Sequence, residues 1–212
     1  MINIALPKGR LGEVVYLLLE KAGYGCGEYP ADGRKLIINC GENGVNYFWV
    51  KPSDSAVYVE LGAADAGIAG KDVLGETQPD VYEIMDLNVG KCKLCVAAKN
   101  GFKDDLSRPL RVATKYVNSA ENYFASIGRE IEIIKLNGSI ELAPVLGLSD
   151  VIFDVVETGA TLKENDLCVL EEVTDVSARF IVNKSAYKFK SKEINLLAQS
   201  LKGILKNGNI KI

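Results

Sequence analysis

The second half of the chain contains a segment whose acidic and hydroxyl-bearing residues could bind a ligand. Residues 154–161 read Asp-Val-Val-Glu-Thr-Gly-Ala-Thr, and residues 149–153, immediately before them, read Ser-Asp-Val-Ile-Phe. Branched and aromatic residues over this length predict a buried β-strand that ends at Asp154. Ligands of open α/β sheets bind outside the carboxyl ends of the strands. The segment is therefore predicted to lie where a ligand would bind.

The residue types of this segment suit a phosphorylated sugar. Small residues let backbone N–H groups approach an anion, Thr158 and Thr161 offer hydroxyl donors, and a predicted helix start adds a favourable dipole. Asp154 and Glu157 would repel phosphate unless they face sugar hydroxyls or a divalent cation. We therefore predict a phosphate-binding loop beside two carboxylates. An ordinary strand-to-helix turn, capped by Asp154 or Thr158 with Gly159 at the bend, is the alternative.

Two other loops that follow predicted strands carry polar groups. Lys8 and Arg10 come after a strand predicted over residues 2–6, and a guanidinium can bind two phosphate oxygens at once. A solvated basic turn is the alternative there. Residues 70–72, Gly-Lys-Asp, follow a strand of small residues at 66–69 that leaves room for a planar ring. Close packing of a helix on the sheet explains those small residues equally well.

Strand and helix patterns alternate through the middle of the chain, which predicts a parallel sheet with right-handed crossovers. We expect lobe I at residues 1–88 and 177–212 and lobe II at 89–176, with a cleft between the lobes. A helix predicted over 191–205 returns the chain to lobe I. The alternating series consists of strand 111–114, helix 119–127, strand 131–136, helix 140–145 and strand 151–154.

Composition indicates a globular protein without a nucleic-acid or membrane partner. The 212 residues are 48% hydrophobic and 25% charged, which is typical of soluble domains. The chain has a net charge of −3, so it shows none of the basic character expected of a nucleic-acid-binding protein. We find no apolar run long enough to span a bilayer and no secretory signal at the amino terminus. The predicted location is the cytoplasm.

Cysteine and histidine usage excludes several kinds of chemistry. The chain has no histidine, so imidazole bases, Ser-His or Cys-His nucleophile pairs and histidine-ligated metals are excluded. Its five cysteines are odd in number and scattered, and reduced thiols are the simplest interpretation. Cys92 and Cys95 form a C-x-x-C pattern, but no second cysteine pair exists to complete a zinc site. These two are interpreted as structural strand residues.

The phosphate-loop segment is one of several stretches that resemble a known family. The matching stretches are residues 5–11, 34–37, 52–74, 113–116, 137–150 and 154–165, and together they span nearly the whole chain. In them the sequence resembles the short form of ATP phosphoribosyltransferase, the enzyme that starts histidine biosynthesis. The resemblance implies an α/β fold in a two-lobed, periplasmic-binding-protein-like (type II) arrangement, with mixed, largely parallel sheets and a cleft between the lobes.

The resemblance also implies an activity. The 5-phosphoribosyl group of phosphoribosyl pyrophosphate would pass to N1 of ATP, with release of pyrophosphate and with Mg²⁺ present. Adenine N1 has a lone pair and no proton, so no strong base is needed and the missing histidine is no objection. Two rival functions are a two-lobed small-molecule binding module and a phosphoribosyltransferase for another base. Salvage phosphoribosyltransferases usually place adjacent acids before Thr-Gly, whereas Asp154 and Glu157 stand three residues apart.

By the same resemblance, residues fall into groups by role. Two residues depart from the family pattern: Lys51 stands where an arginine is expected before Pro-Ser-Asp, and Ala160 replaces a polar residue in the loop. The first loses a bidentate contact and the second a side-chain donor. The expected roles are catalysis for Arg10 and Arg34, phosphoribosyl pyrophosphate binding for Asp154, Glu157, Thr158, Gly159, Ala160 and Thr161, ATP binding for Lys8, Gly9, Gly70, Asp72 and Glu141, and contact with substrate-bound Mg²⁺ for Asp154 and Glu157. Glu141 could instead cap a helix.

The short form implies a protein partner. Short-form enzymes depend on a separate subunit resembling histidyl-tRNA synthetase for feedback by histidine. We therefore expect a homodimer when the chain is alone and a hetero-oligomer with such a regulatory subunit in the cell.

Overall fold

The computed structural model describes residues 1–26 and 35–206, which form two compact α/β units. Unit 1 comprises Met1–Leu74, Gln78–Gly90 and Ser177–Ile212. Unit 2 comprises Gly75–Thr77 and Lys91–Val176. Each unit is built on one mixed sheet. Within the described ranges, no helix is both long enough and apolar enough to cross a membrane.

The described residues form eleven strands and seven α-helices, which include the alternating series predicted over residues 111–154. The strands are β1 (Ile2–Pro7), β2 (Ile37–Cys40), β3 (Val45–Val50), β4 (Ala66–Gly70), β5 (Val81–Asp86), β6 (Cys92–Lys99), β7 (Leu110–Thr114), β8 (Ile131–Lys135), β9 (Val151–Val156), β10 (Leu167–Val176) and β11 (Ala178–Asn183). The α-helices are α1 (Arg10–Leu19), α2 (Ser55–Glu60), α3 (Lys71–Thr77), α4 (Val117–Ser126), α5 (Leu142–Val145), α6 (Ala160–Glu164) and α7 (Lys184–Lys206).

The sheet of unit 1 has the strand order β2-β3-β1-β4-β11-β5. Its central strand, β1, pairs in parallel with β3 on one side and with β4 on the other. The loops that follow these three strands therefore leave the same edge of the sheet. The N–H of Lys8 donates to the carbonyl of Val50 at 2.7 Å, which joins two of these loops directly.

Both faces of this sheet are buried by apolar side chains. Along β1, Ile4 and Leu6 point into a core that includes Leu197 of α7, while Ala5 points into the core under α2. Alternate residues of a strand face opposite sides of the sheet, so one strand can support both layers. Gly12 of α1 lets that helix lie close to the sheet, because a Cβ there would stand 1.8 Å from the Pro7 carbonyl oxygen.

The sheet of unit 2 has the order β10-β6-β9-β7-β8. β7 is parallel to both β8 and β9, as the alternating strand and helix pattern predicts. β6 runs antiparallel to β9 and to β10. The prediction of mixed sheets is confirmed, but the expectation of largely parallel sheets is wrong. Every pair that involves β2, β6, β10 or β11 is antiparallel. β2 and β3 form a hairpin, in which the second strand runs opposite to the first. The other antiparallel pairs join strands that are separated by longer connections.

Strand β9 divides its side chains between two apolar layers of unit 2. Val151 and Phe153 pack in the layer with Phe124 of α4, whereas Ile152 packs in the other layer with Leu162 of α6. Just before β9, Asp150 accepts hydrogen bonds from two guanidinium groups. Arg108 donates at 2.7 Å and Arg111 at 2.8 Å, and these bonds hold the pKa of Asp150 well below its ordinary value.

One cysteine pair corrects the expectation that all thiols are reduced. Cys26 and Cys40 form a disulfide with their Cα atoms 5.3 Å apart, whereas Cys92, Cys95 and Cys168 form none. The N–H of Cys26 donates to the Tyr16 hydroxyl at 3.0 Å, which helps to hold this residue beside β2. Sequence spacing alone gives no sign of this proximity.

We expect Gly67→Ala to destabilise unit 1 by about 1–3 kcal/mol, the usual cost of overpacking a core. A Cβ at this position would stand 2.6 Å from the Val59 side chain and 3.2 Å from the Ala5 carbonyl oxygen. Val59 is fully buried and has little room to move. Gly203→Ala is the matched control, since a Cβ there meets nothing within 4 Å and alanine favours a helix by about 0.5–1 kcal/mol. Urea unfolding of both variants measures the two changes, and an unchanged midpoint for Gly67→Ala would contradict the packing described.

We expect three titratable thiols per chain when the protein is purified without reductant and denatured before reaction with Ellman's reagent. Two of the five cysteines are joined in the disulfide and cannot react. After reduction the count should rise to five. A count of five without reduction would refute the disulfide.

Candidate active site

The acidic and hydroxyl-rich segment lies at the end of β9, but the strand is longer than the sequence predicts. β9 continues to Val156, so Asp154 lies within the strand and not at its last residue. Val155 and Val156 pair with Leu94 and Lys93 of β6. β-Branched side chains fit a pleated sheet well, which explains the extension.

The loop between β9 and α6 turns sharply at Gly159. This residue has φ 72° and ψ 3°, a left-handed conformation that costs energy for residues with a Cβ. The N–H of Ala160 donates to the Thr158 hydroxyl at 3.3 Å, and the N–H of Lys163 donates to the Gly159 carbonyl at 3.1 Å. The turn thus begins α6 and keeps the loop backbone at the surface.

A cavity of about 310 Å³ in unit 2 brings together all six residues predicted to bind phosphoribosyl pyrophosphate. Glu141, which was grouped with the ATP ligands, lines the same cavity. It occupies the N-cap position of α5 but makes no capping hydrogen bond with its side chain, so the capping alternative is not observed. The cavity is lined by Cys92, Glu141, Ile152, Asp154, Val155, Val156, Glu157, Thr158, Gly159, Ala160, Thr161 and Leu162.

Asp154 is a largely enclosed carboxylate of this cavity, with its side chain 15% exposed. Burial raises the pKa of Asp154, because a charged carboxylate is less well solvated there. The Lys115 ammonium and the N–H of Val155 oppose this shift, while the charge of Glu141 adds to it. The residue that balances Asp154 is therefore Lys115, whose Nζ lies 3.6 Å from Oδ1.

Lys115 is a site residue that analysis of the sequence did not single out. It directly follows β7, and β7 pairs in parallel with β9, so the carboxyl ends of both strands lie at one edge. Its position after a strand of the predicted alternating series is the signal that could have identified it. The contact with Asp154 depends on the neighbouring positions of β7 and β9 in the sheet, which the sequence does not specify.

The donors in the cavity are too few to hold a metal ion unaided. No group of three or more aspartate, glutamate, cysteine or histidine side chains among residues 1–26 and 35–206 is arranged to bind one. Asp154 and Glu157 supply hard carboxylate oxygens of the kind that Mg²⁺ prefers. Most ligands of a bound Mg²⁺ would therefore have to come from substrate and water.

The other predicted residues with described structure belong to unit 1. Gly9 has φ 89° and precedes α1, so Arg10 is the first residue of that helix. Gly70 precedes α3, and a Cβ there would stand 2.1 Å from the Asp72 carboxylate oxygen Oδ1. Only glycine fits at this position without displacing Asp72. Lys8, Gly9 and Arg10 follow β1, and Gly70 and Asp72 stand at the junction of β4 and α3, at the same edge of the sheet.

The structure describes one of two further basic residues named in the sequence analysis. Arg34 lies outside the described residues, so its predicted role stays a prediction. Lys51 follows β3 and precedes the short helical turn Pro52–Asp54. The family resemblance implies an arginine at this position. The Lys51 backbone is extended, with φ −62° and ψ 145°, as expected for a residue before proline.

Comparison with known proteins identifies relatives along nearly the whole chain. Residues 51–203 match the family model for ATP phosphoribosyltransferase. The ATP phosphoribosyltransferase of Brachyspira hyodysenteriae is 58% identical over 206 residues, which cover 97% of this chain and 100% of that protein. A resemblance first inferred from short stretches therefore extends over the full length of a curated relative.

Solved structures give the same result for the fold. The ATP phosphoribosyltransferase (HisG:HisZ) complex of Thermotoga maritima contains a chain that is 32% identical, with a TM-score of 0.85 and coverage of 98% of this chain and 100% of that one. The substrate-binding protein of an amino acid ABC transporter is 13% identical, with a TM-score of 0.60 and coverage of 98% and 94%. The second likeness concerns the fold alone and confirms the prediction of a periplasmic-binding-protein-like fold. Together, the match over residues 51–203 and the relatives that align from end to end establish that this chain belongs to the ATP phosphoribosyltransferase family.

Proposed function

We propose that this chain transfers the 5-phosphoribosyl group of phosphoribosyl pyrophosphate to N1 of ATP and releases pyrophosphate, the first step of histidine biosynthesis. The observation that carries the proposal is the cavity of unit 2, where Asp154 and Glu157 adjoin the Gly159 turn. A phosphorylated ribose has alcohols for carboxylates to bind and a phosphate for amides to bind. Family membership supplies the identity of the acceptor.

The 5-phosphate is assigned to the loop that starts α6. Thr158, Gly159, Ala160 and Thr161 offer backbone N–H groups and two hydroxyls around one turn. α6 has only five residues, so these donors rather than a long helix dipole would provide the binding. Ala160 has no side-chain donor, and the phosphate would share its N–H with the Thr158 hydroxyl, to which it donates at 3.3 Å.

The ribose hydroxyls are assigned to the carboxylates of the cavity. A hydroxyl donates to a carboxylate oxygen, and Asp154 and Glu157 lie next to the phosphate loop. Glu141 lines the same cavity, and we assign it to the sugar of the nucleotide acceptor. Mg²⁺, when bound, would neutralise the departing pyrophosphate, and Asp154 and Glu157 would complete a coordination sphere made mostly of substrate oxygens and water.

The reaction needs no strong base, but it needs positive charge to stabilise the leaving pyrophosphate. The lone pair of adenine N1 forms the new bond to C1 of the ribose, and the C1–oxygen bond to pyrophosphate breaks with its electrons leaving on oxygen. We assign Arg10 and Arg34 to this leaving group, because preorganised positive charge lowers such a barrier by several kcal/mol. Lys8, Gly9, Gly70 and Asp72 are assigned to ATP. Alignment of the two substrates would supply much of the remaining acceleration.

The rival functions have weaker support. The substrate-binding protein of the ABC transporter shares only 13% identity, so its likeness carries no function. No residue in the cavity selects adenine over another base by its chemistry alone, and that choice rests on family membership.

We propose further that a regulatory subunit resembling histidyl-tRNA synthetase binds this chain, and that the chain forms a homodimer alone. The support is the related Thermotoga maritima chain, which occurs in a HisG:HisZ complex. Because both substrates are highly charged and do not cross bilayers, we assign the reaction to the cytoplasm.

We expect the purified chain to convert ATP and phosphoribosyl pyrophosphate to the N1-ribosylated nucleotide when Mg²⁺ is added. Absorbance and mass spectrometry follow the product. Asp154→Asn should weaken phosphoribosyl pyrophosphate binding at least about tenfold, since the amide presents a donor to the ribose and removes the charge. Absence of product at any Mg²⁺ concentration, for the chain alone and with its regulatory subunit, would reject the proposed function.

We expect Arg34→Ala to lower kcat about 10²–10³-fold with little change in either KM, because its charge would act mainly on the transition state. Arg34→Lys keeps the charge but loses the paired donors, so its kcat should lie between that of wild type and that of Arg34→Ala. Circular dichroism checks that both variants are folded. Wild-type turnover by a folded Arg34→Ala protein would exclude the catalytic role.

A further inference from the structure

The two oxygens of the Asp154 carboxylate have different surroundings. The N–H of Val155 donates to Oδ1 at 2.8 Å, and the Lys115 ammonium lies 3.6 Å from the same oxygen. Both contacts that the structure shows for this side chain within the described ranges therefore fall on Oδ1. Oδ2 is left for a ligand, in a carboxylate that lines the cavity of unit 2.

The position of Lys115 is fixed by a buried hydroxyl. Thr114, which is fully buried, donates from Oγ1 to the Phe153 carbonyl at 2.6 Å and accepts from the N–H of Tyr116 at 2.8 Å. These bonds fix the backbone on both sides of Lys115 to the residue before Asp154. The Lys115 ammonium also lies 4.8 Å from the centre of the Tyr116 ring, a cation–π distance.

The Lys115–Asp154 ion pair offsets the cost of burying Asp154 and adds little net stability to the fold. The Lys115 side chain is 39% exposed, and exposed ion pairs stabilise proteins by roughly 0–1 kcal/mol. By contrast, Asp150 accepts closer hydrogen bonds from two arginines and serves as a structural carboxylate. A single ammonium at 3.6 Å steers Asp154 without occupying both of its oxygens.

We propose that Lys115 is a positioning residue for phosphoribosyl pyrophosphate. Its ammonium and the N–H of Val155 hold Oδ1 of Asp154, which orients Oδ2 toward the ribose hydroxyls. This inference rests on the proposed function, because it assigns Asp154 to the ribose. Groups that orient metal-binding side chains typically change metal affinity or activity about 10–100-fold when they are removed, and we expect an effect at the lower end of that range here.

The test compares Lys115→Met with Lys115→Arg in the full-length chain. Calorimetric titration with phosphoribosyl pyrophosphate and Mg²⁺, without ATP, should show about tenfold weaker binding for Lys115→Met. Lys115→Arg retains the charge and should remain within about threefold of wild type. In the enzyme assay, Lys115→Met should raise KM for phosphoribosyl pyrophosphate and leave KM for ATP unchanged.

The matched control is Lys135→Met, at the exposed end of the adjacent parallel strand β8, which should bind like wild type. In an Asp154→Asn background, Lys115→Met should have little further effect, because both changes act through one carboxylate. Wild-type binding by Lys115→Met would overturn the inference, and so would a full additional loss in the Asp154→Asn background. Wild-type binding by Asp154→Asn itself would overturn the assignment of Asp154 to the ribose, and the inference with it. Failure of the proposed function is separate and would appear as absence of the N1-ribosylated product with the wild-type chain.

Discussion

The candidate site depends on keeping a carboxylate charged in a place where water reaches it poorly. Asp154 is 15% exposed, and an unpaired charge in such a place is costly. The protein compensates with one ammonium and one backbone N–H on the same oxygen. These two contacts stabilise the charge and leave the second carboxylate oxygen, Oδ2, for a ligand. Asp150, four residues earlier, has the opposite balance, because two arginines bind both of its oxygens and depress its pKa.

That compensation requires β7, β9 and β6 to lie side by side. The parallel pair β7 and β9 brings Lys115 and Asp154 to one edge, and β6 extends β9 through Val156. Alternation along β9 then separates Phe153, which packs in the core, from its neighbours Ile152 and Asp154, which line the cavity. Successive residues of one strand thus belong in turn to the apolar core and to the polar site. A change of register by one residue would bury the charge and expose the aromatic ring.

The fold of this chain is shared with a substrate-binding protein of a transporter. A substrate-binding protein with 13% identity has the same architecture, so the architecture does not specify a reaction. The reaction depends on which residues stand at the carboxyl ends of the strands. Without histidine, this chain carries carboxylates, threonine hydroxyls, backbone amides and cations there. Those groups suit a transfer that needs charge neutralisation and alignment more than proton abstraction.

The sequence by itself determined the alternating elements, the Gly159 turn that follows β9, and the family. Hydrophobic periodicity and residues such as Gly159 are local signals, which do not require knowledge of distant contacts. Only the tertiary structure placed Lys115 beside Asp154, put Glu141 in the same cavity and joined Cys26 to Cys40. It also showed that antiparallel strand pairs are about as numerous as parallel ones among the described strands. Each of these depends on which strands become neighbours, and strand order is set by packing of the whole chain rather than by any local pattern.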